Sequence, residues 1–190
     1  MSIADQPAGT ADRQALLDRI DALERRVAEM EAGRPEDKVS MVVFSGDLDR
    51  VLAAFVIATG AAAMGQKVDM YFTFWGLTAI RQRTDLAGKS LLQRMMAMMT
   101  PGSSQGLPVS RMNWFGAGAK MLRMMMKERN VESLEDLMKL ARDLGVTIIA
   151  CDMSQGVMGI RDDELMDDLE HGGVGTFLGS AMTSKATLFI

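Results

Sequence analysis

The stretch at residues 146–150, VTIIA, is a short apolar run rich in β-branched residues, and it predicts a buried parallel strand. It leads directly into Cys151, the only cysteine in the chain. Asp152, Ser154 and Gly156 follow, and these residue types suit a tight turn into a helix, with Ser154 as the N-cap. The thiol is therefore predicted at the carboxyl end of a strand and just before a helix, where open α/β sheets bind ligands. Because backbone N–H groups and the helix dipole stabilise an anion there, we expect the thiol pKa to be lowered.

Strands and helices alternate along the rest of the chain. Further strands are predicted at residues 39–44, 67–75 and 186–190. Helices are predicted at residues 50–64, 76–83, 91–99, 114–129, 133–144 and 162–170, with a turn at 171–173. Ser133 and Asp136 suit the N-cap and the first turn of the helix at 133–144. The alternation predicts an α/β fold of three layers, in which a parallel sheet lies between helices on both faces.

A heptad pattern sets the N-terminal segment apart. We expect a disordered tail at residues 1–10, an oligomerising helix at 11–32, a linker at 33–37 and the α/β domain at 38–190. The apolar a and d positions are Ile20, Val27, Leu16, Leu23 and Met30, and the charged g and e positions are Arg19, Arg26, Glu24 and Glu31. This pattern predicts a coiled coil, and a helix that packs on its own domain is the alternative. Because the seam is short, we expect it to extend an oligomer that the main domain forms.

Composition excludes several classes of function. A net charge of −4 gives no reason to expect nucleic acid as a partner. A single cysteine excludes an intramolecular disulfide and every multi-cysteine metal site, and the single histidine, His171, would leave zinc to carboxylate ligands. The N-terminus is polar and acidic, unlike a signal peptide, and the longest apolar run, at residues 51–65, is too short to span a bilayer. We therefore expect a cytoplasmic protein with no metal, no cofactor and no membrane contact.

Several chemistries can be weighed against the polar residues near the predicted strand ends. Residues 45–47, SGD, follow the first strand but match neither phosphate-loop pattern, so Asp47 or Asp49 is interpreted as a helix cap. A Cys151–His171 dyad is one hypothesis, and a surface histidine beside a Gly-Gly turn is an equally good one. Dithiol redox chemistry needs a resolving cysteine, and the sequence has none. A single thiol can still accept a sulfur atom from a persulfide and pass it to another thiolate.

Methionines are concentrated at residues 84–126 and in the helix predicted after Cys151. In the first region they lie on two predicted helices around a loop rich in glycine and proline, which favours a mobile segment that covers the site or receives partners. Copper(I) binding by thioethers is a weaker alternative. Met153 and Met158 are expected to form an apolar wall around the thiol. The candidate substrate-binding residues are Asp152, Met153, Ser154, Gly156 and Met158.

Five stretches of the sequence carry a family resemblance. They are FSGDLDR at 44–50, AAFVIATGAAAMG at 53–65, YFTFWGL at 71–77, NWFGAGAKML at 113–122 and CDMSQGVMGI at 151–160. On these stretches the chain from residue 38 to residue 190 resembles the DsrE/DsrF-like sulfurtransferase family, in its DsrE2/DsrE3-type branch. The resemblance implies a flavodoxin-like α/β fold and homo-oligomers, commonly trimers or hexamers. It also maps the family's reactive cysteine onto Cys151.

The function that the resemblance implies is a sulfur carrier. Cys151 would hold sulfane sulfur as a persulfide and exchange it with TusA-like and rhodanese-like proteins of sulfur metabolism. Two alternatives stay open. One is an oligomeric scaffold or protein-binding module with a silent thiol, since a lone cysteine is more often a small buried hydrophobe. The other is a flavin-binding module, which rests on analogy of fold alone.

Overall fold

The computed structural model describes residues 8–190 and divides them into two compact units. One unit ends at Pro35 and contains helix α1, Ala8–Ala32, and the other comprises Glu36–Ile190. The helix predicted in the first unit is therefore present and begins slightly earlier than expected. Most of the predicted tail, residues 1–7, lies outside the described residues, and the last part of that prediction is wrong because α1 already includes it.

Five parallel strands form one sheet in the described part of the chain. They are β1, Glu36–Val43; β2, Lys67–Phe72; β3, Thr147–Cys151; β4, Glu170–Gly172; and β5, Ser184–Phe189. Their order is β4-β3-β2-β1-β5, and each neighbouring pair is parallel. The predicted parallel α/β class is confirmed. The strand order differs from the flavodoxin order 2-1-3-4-5, since β1 here lies between β2 and β5.

Helices connect the strands of the second unit. They are α2, Leu48–Ala63; α3, Leu91–Met99; α4, Ala117–Glu128; α5, Leu134–Asp143; α6, Asp152–Met158; and α7, Val174–Thr183. Turns of 3-10 helix occur at Phe74–Thr78, Ser104–Gly106, Trp114–Gly116 and Asp162–Glu164. The helix predicted at 91–99 has the expected bounds, and Ser133 and Asp136 form the predicted capping box of α5.

The C-terminal part of the domain differs from the prediction. The helix expected at 162–170 is only a 3-10 turn, because the backbone becomes extended at Leu165 (φ −91°, ψ 169°) and is left-handed at Asp168 (φ 62°). The chain then forms β4 where a turn was expected, and α7 where no regular element was expected. β2 ends at Phe72, earlier than predicted, because Phe74 is also left-handed (φ 47°). The helix expected at 76–83 is only the 3-10 turn at Phe74–Thr78, and Arg81 beyond it forms an isolated antiparallel bridge with Leu165.

The two faces of the sheet carry two different apolar layers. Met41 and Val43 of β1 point into the main core with side chains of α2 and α5, whereas Val42 between them points the other way. The second face carries a small cluster that consists of Val42, Tyr71, Ile149 and Cys151, packed against Phe177 of α7. Helices therefore cover both faces of the sheet, as predicted. The thiol belongs to the thinner layer, under α7.

Two aspartates hold the loops at the start of α2. Asp47 occupies the N-cap position, but its carboxylate accepts a hydrogen bond from Ser45 Oγ (3.0 Å) and not from the helix backbone. Asp49 accepts hydrogen bonds from the backbone N–H (2.8 Å) and the Oγ (2.5 Å) of Ser110. Asp47 is therefore the N-cap of α2 by position, as expected, but its side chain makes no capping hydrogen bond. Asp49 instead ties the loop before α4 to the first turn of α2.

A buried ion cluster, which we call the glutamate cluster, fixes the segment that follows β2. The Glu164 carboxylate is completely buried and accepts hydrogen bonds from Arg81 (2.5 Å) and Lys89 (2.6 Å), which are also buried. The backbone N–H groups of Asp85 (2.7 Å) and Arg161 (2.9 Å) donate to the same carboxylate. Burial raises the pKa of Glu164, but the hydrogen bonds outweigh it and lower this pKa to about 2. No local sequence pattern predicts this cluster, whose members are far apart in the chain.

Candidate functional site

The thiol lies where β3 passes into α6. Cys151 is the last residue of β3 and also occupies the N-cap position of α6, as the sequence predicted for a thiol at a strand end before a helix. The expectation that Ser154 would be the N-cap is wrong. Since the helix starts immediately after the strand, at Asp152, Ser154 falls in its first turn and is completely buried.

Three hydroxyl groups surround the thiol, and we call Tyr71, Thr73 and Ser154 the hydroxyl cage. Thr73 Oγ1 and Ser154 Oγ are 2.8 Å apart, and the Tyr71 hydroxyl, 3.3 Å from the carbonyl oxygen of Gly172, can donate its one proton either to that carbonyl or to the thiolate. Tyr71 lies in β2, Thr73 is the first residue after β2, and Ser154 lies in α6. Strand β2 pairs with β3, so the cage joins two neighbouring strand ends around one sulfur atom.

The cage determines the charge preference of the thiol. Burial raises the pKa of Cys151, but hydrogen bonds from the Ser154 hydroxyl, Tyr71, the Ser154 N–H and Thr73 outweigh burial and lower this pKa below the ordinary cysteine value. The hydrogen bond between the two groups acts on the phenol in the opposite direction. The pKa of Tyr71 is raised, mostly by burial and then by the hydrogen bond and negative charge at Cys151. The pKa of the thiol is thus lowered mainly by hydroxyl groups, of which the sequence predicted only Ser154 near the thiol.

Within the described part of the chain, the groups named as lowering the pKa of Cys151 include no lysine or arginine. Arg161, which the sequence places close after α6, donates to Asp163 (2.9 Å) and pairs with Asp85. The thiol therefore depends on neutral donors. Neutral donors stabilise a thiolate without forming an ion pair that would have to be broken when the sulfur reacts.

The thiol is shielded from solvent in this conformation. The Cys151 side chain is 2% exposed, and the rings of Tyr71 and Phe177 beside it have centroids 5.6 Å apart. Phe177 belongs to α7, which begins just after Gly172 and Gly173 and contains no fully buried residue. A reagent can therefore reach the sulfur only when part of this cover moves, and α7 is the least deeply packed part of it.

The candidate substrate-binding residues do not converge on the thiol. Asp152 and Met153 are exposed, and Gly156 is exposed with its carbonyl oxygen accepting a hydrogen bond from Gln93 Nε2 of α3 (3.2 Å). Met158 lies in the main core, on the other side of the sheet from the thiol cluster. The apolar wall expected from Met153 and Met158 is therefore not formed. Of the five candidates, Ser154 is the one that contacts the thiol.

His171 lies on the neighbouring strand but serves a different group. It pairs in register with Ala150, whereas Cys151 pairs with Gly172, so the side chains of His171 and Cys151 leave opposite faces of the sheet. The Nδ1 atom of His171 is 3.1 Å from Gln155 Oε1 and 3.7 Å from a carboxylate oxygen of Asp152. The Cys–His dyad considered from the sequence is therefore not formed.

An exposed methionine surface lies on α3 and α4. It consists of Met95, Met98, Met99, Met121, Met124 and Met125, which are 46–83% exposed. Residues 90–127, which contain this surface, include five lysine and arginine residues and no aspartate or glutamate. Helix α3 packs against α6, the helix that begins at the thiol, through Gln93. The part of the methionine surface that lies on α3 therefore adjoins the helix that begins at the thiol.

Within residues 8–190, His, Cys, Asp and Glu side chains form no group of three or more that could hold a metal ion. None of the helices in this range is long and apolar enough to cross a membrane.

Comparison with known proteins gives relatives for the α/β domain. The chain is 37% identical over 154 residues to an uncharacterized protein, YrkE, of Bacillus subtilis, a match that covers 80% of this chain and 96% of that protein. It is 30% identical over 158 residues to the sulfur carrier protein DsrE2 of Allochromatium vinosum, covering 82% and 99%. The solved structure of the ychN protein from Escherichia coli is similar with a TM-score of 0.47 and 10% identity, covering 80% and 98%.

The family model for the DsrE/DsrF/DrsH-like proteins matches residues 35–189, which is nearly the whole second unit and excludes α1. The match to this model and the identity to a sulfur carrier support a role in sulfur transfer. They also confirm the resemblance that the sequence motifs indicated. The chain described here belongs to the DsrE/DsrF/DrsH-like family.

Proposed function

We propose that this protein is a cytoplasmic sulfurtransferase or sulfur carrier that holds sulfane sulfur as a persulfide on Cys151. It passes this sulfur to partner sulfur-transfer proteins of the TusA-like and rhodanese-like kinds. The observation that carries the proposal is the hydroxyl cage: a single thiol at a strand end, with its pKa lowered by Ser154, Tyr71 and Thr73 in spite of its burial. A structural cysteine needs no such donors, because a neutral thiol is stable in an apolar layer.

The proposed reaction is a thiolate exchange. The Cys151 thiolate attacks the outer, sulfane sulfur of a persulfide or polysulfide. A new S–S bond forms at Cys151 Sγ while the S–S bond of the donor breaks, and the remainder of the donor leaves as a thiolate with the electron pair of that bond. An acceptor thiolate then attacks the outer sulfur of the Cys151 persulfide, and Cys151 leaves as the thiolate. The number of S–S bonds is the same before and after each step, so no oxidant or reductant is consumed.

The hydroxyl cage supports both halves of this exchange. It stabilises the Cys151 thiolate that attacks in the first step and the same thiolate when it departs in the second. The chain has no second cysteine, so a loaded persulfide cannot collapse into an intramolecular disulfide. A carrier with one thiol must therefore deliver its sulfur to another protein or to a small thiol.

Exposed apolar side chains support the homo-oligomer, a trimer or hexamer, that we propose for the α/β domain. Val174, Leu178 and Met182 of α7 and Phe189 of β5 are 49–84% exposed. Apolar side chains grouped on one helix and an edge strand are typical of an interface between subunits. An interface on α7 would also control the cover of the thiol.

The second candidate function is a scaffold or binding module with a silent thiol. The observation that favours it is the 2% exposure of Cys151 beneath Phe177 and Tyr71. A carrier thiol must meet its donor, and a silent one need not. The methionine surface would then be the functional part, since methionine-rich surfaces adapt to several partners.

Intact-mass analysis after incubation with polysulfide distinguishes the two functions. The carrier predicts that the wild-type protein gains whole sulfur atoms, that reductant removes them, and that Cys151→Ser gains none. Phe177→Ala is the matched variant: because it thins the cover of the thiol, it should load faster than wild type. If neither the wild type nor Phe177→Ala gains sulfur from several donors, the thiol is silent and the scaffold is correct.

A further inference from the structure

The N-terminal helix α1 carries an apolar seam that nothing in its own unit covers. Every side chain from residue 13 to residue 31 is exposed. The seam itself consists of Leu16, Ile20, Leu23, Val27 and Met30, which are 42–74% exposed. The family model begins only at residue 35, so α1 is an addition to the family domain. A row of five large apolar side chains on one stripe of a helix is a surface that an interaction partner should bury.

The spacing of the seam specifies the shape of that partner. The five residues recur at the a and d positions of a heptad, a pattern that fits a second helix wound around the first. Ile20, Leu23 and Val27 line a shallow groove along the helix with Glu24 and Glu31 at its edge. A groove with this period accepts the side chains of another heptad helix. A second copy of the same chain supplies such a helix, its own α1.

The charges beside the seam specify the direction of the second helix. Arg19 and Arg26 occupy g positions, and Glu24 and Glu31 occupy e positions. In a parallel, in-register pair each g residue faces the e residue five places later in the other helix, so Arg19 meets Glu24 and Arg26 meets Glu31. In an antiparallel pair g faces g, and arginines would oppose arginines. Among the described residues these four side chains form no salt bridge within one copy, which leaves them available to a second copy.

We propose that α1 of two copies of this protein forms a parallel, in-register, two-stranded coiled coil. The residue types at the core positions favour two strands. The a positions hold the β-branched residues Ile20 and Val27, and two of the d positions hold Leu16 and Leu23. This pairing does not depend on sulfur chemistry. It also agrees with the proposed trimeric α/β domain, since a twofold contact that joins two threefold rings gives a closed hexamer.

Disulfide trapping in the full-length chain tests the proposal. In the Cys151→Ser background, Ile20→Cys places one thiol at an a position, where the two copies face each other across the seam. Oxidation should convert this variant almost completely into a covalent dimer. Ala22→Cys, on the outer side of the same helix, is the matched control and should remain monomeric on a denaturing gel under the same conditions. Circular dichroism and light scattering before oxidation establish that both variants fold and assemble like the parent.

The other outcomes each contradict a stated part of the proposal. Equal trapping of Ile20→Cys and Ala22→Cys, or trapping of neither, means that the seam does not join two copies. If the covalent dimer levels off at about two-thirds of the protein, the coiled coil has three strands, because one disulfide then leaves the third cysteine without a partner. A mixture of Ile20→Cys and Leu23→Cys proteins that forms mainly the mixed disulfide means an antiparallel pair. Because Cys151 is absent from all these variants, the outcomes are independent of whether the protein carries sulfur.

Discussion

Glu164 and Cys151 are both buried acidic groups of the α/β domain, and their surroundings differ in kind. Glu164 is completely buried between the full charges of Arg81 and Lys89, and two backbone N–H groups complete its shell. Cys151 is almost as deeply buried, but the groups that lower its pKa are hydroxyls and one backbone N–H. Both groups have a lowered pKa in spite of burial. The difference lies in what each anion would leave behind if it reacted or moved.

One domain thus uses different partners for a buried group that holds the structure together, Glu164, and for a buried group that is proposed to react, Cys151. If Glu164 were displaced, two buried cations would lose their partner, so the glutamate cluster is fixed in place. If the Cys151 thiolate is consumed in a covalent bond, the hydroxyls of its cage remain neutral and can turn to other acceptors. Charged partners therefore suit the group that pins the segment after β2 to the 3-10 turn at Asp162–Glu164, and neutral partners suit the group that is proposed to react.

The largest effect is expected when the charge of Glu164 is removed. Glu164→Gln leaves Arg81 and Lys89 buried without a counter-charge, and breaking a buried pair in this way costs roughly 3–5 kcal/mol of unfolding free energy. Urea denaturation of the purified variant measures the loss. Asp163→Asn, which removes an exposed partner of Arg83 and Arg161, is the matched control. It should lose far less, because solvent screens that pair. Equal losses in the two variants would contradict the anchoring role.

The same residue predicts a pH dependence of stability. The pKa of Glu164 is about 2 in the folded protein, below the ordinary value of about 4.3. Its stabilising contribution is therefore complete above the ordinary value and is lost as the pH falls towards 2. Wild type should lose stability through this window, and the profile of Glu164→Gln should be flatter. Parallel profiles would mean that other carboxylates cause the acid sensitivity.

A smaller effect is expected when one hydroxyl is removed from the cage. Ser154→Ala keeps its backbone N–H but deletes the hydroxyl that contributes most to lowering the Cys151 pKa. Losing one hydrogen bond to a charged group should raise this pKa and slow alkylation by iodoacetamide near neutral pH about tenfold. Thr59→Val, at a buried hydroxyl of α2 that bonds only to its own helix, should leave the rate unchanged. Alkylation of Ser154→Ala at the wild-type rate would remove the cage from the explanation.

The smallest effect concerns the phenol of the cage. Tyr71 is the only tyrosine in the chain, so phenolate absorbance during alkaline titration reports on it alone. Burial raises the pKa of Tyr71 most, and Cys151 raises it further through a hydrogen bond and its negative charge. Cys151→Ser should therefore titrate at a lower pH than wild type, though still above a free tyrosine. Asp152→Asn should move it less, since Asp152 contributes least. Identical titrations of wild type and Cys151→Ser would show that phenol and thiol do not interact.

The structural features that the sequence predicted correctly are those that depend on local sequence pattern. The strand before Cys151, the helix after it and the capping box of α5 all follow from residues close together in the chain. The hydroxyl cage does not, because Tyr71 and Thr73 lie some 80 positions from Cys151 and meet it only through the pairing of β2 with β3. The sequence did contain one signal for the cage. Two hydroxyl residues, Tyr71 and Thr73, lie at the end of the strand that pairs with the cysteine strand.

Other differences have equally specific causes. The glutamate cluster joins Arg81 and Lys89 to Glu164 across more than seventy positions, and nothing in the local pattern of any of the three marks it. Helix α7 was missed because its sequence is rich in glycine and β-branched residues, which have low helix propensity. Packing of Phe177 over Tyr71 stabilises it where propensity does not.

Positive charge is concentrated in the stretch at residues 90–127. This stretch holds five cationic side chains and no acidic ones in a chain whose net charge is −4, so one region is positive while the remainder is strongly negative. Anions that approach this stretch would be drawn to its cationic side chains, of which Arg94 lies on α3, the helix that contacts the one beginning at Cys151. Such attraction acts before contact and is weakened by dissolved ions. The rate at which anionic donors reach the protein should therefore fall as ionic strength rises, even where the final bound state is unchanged.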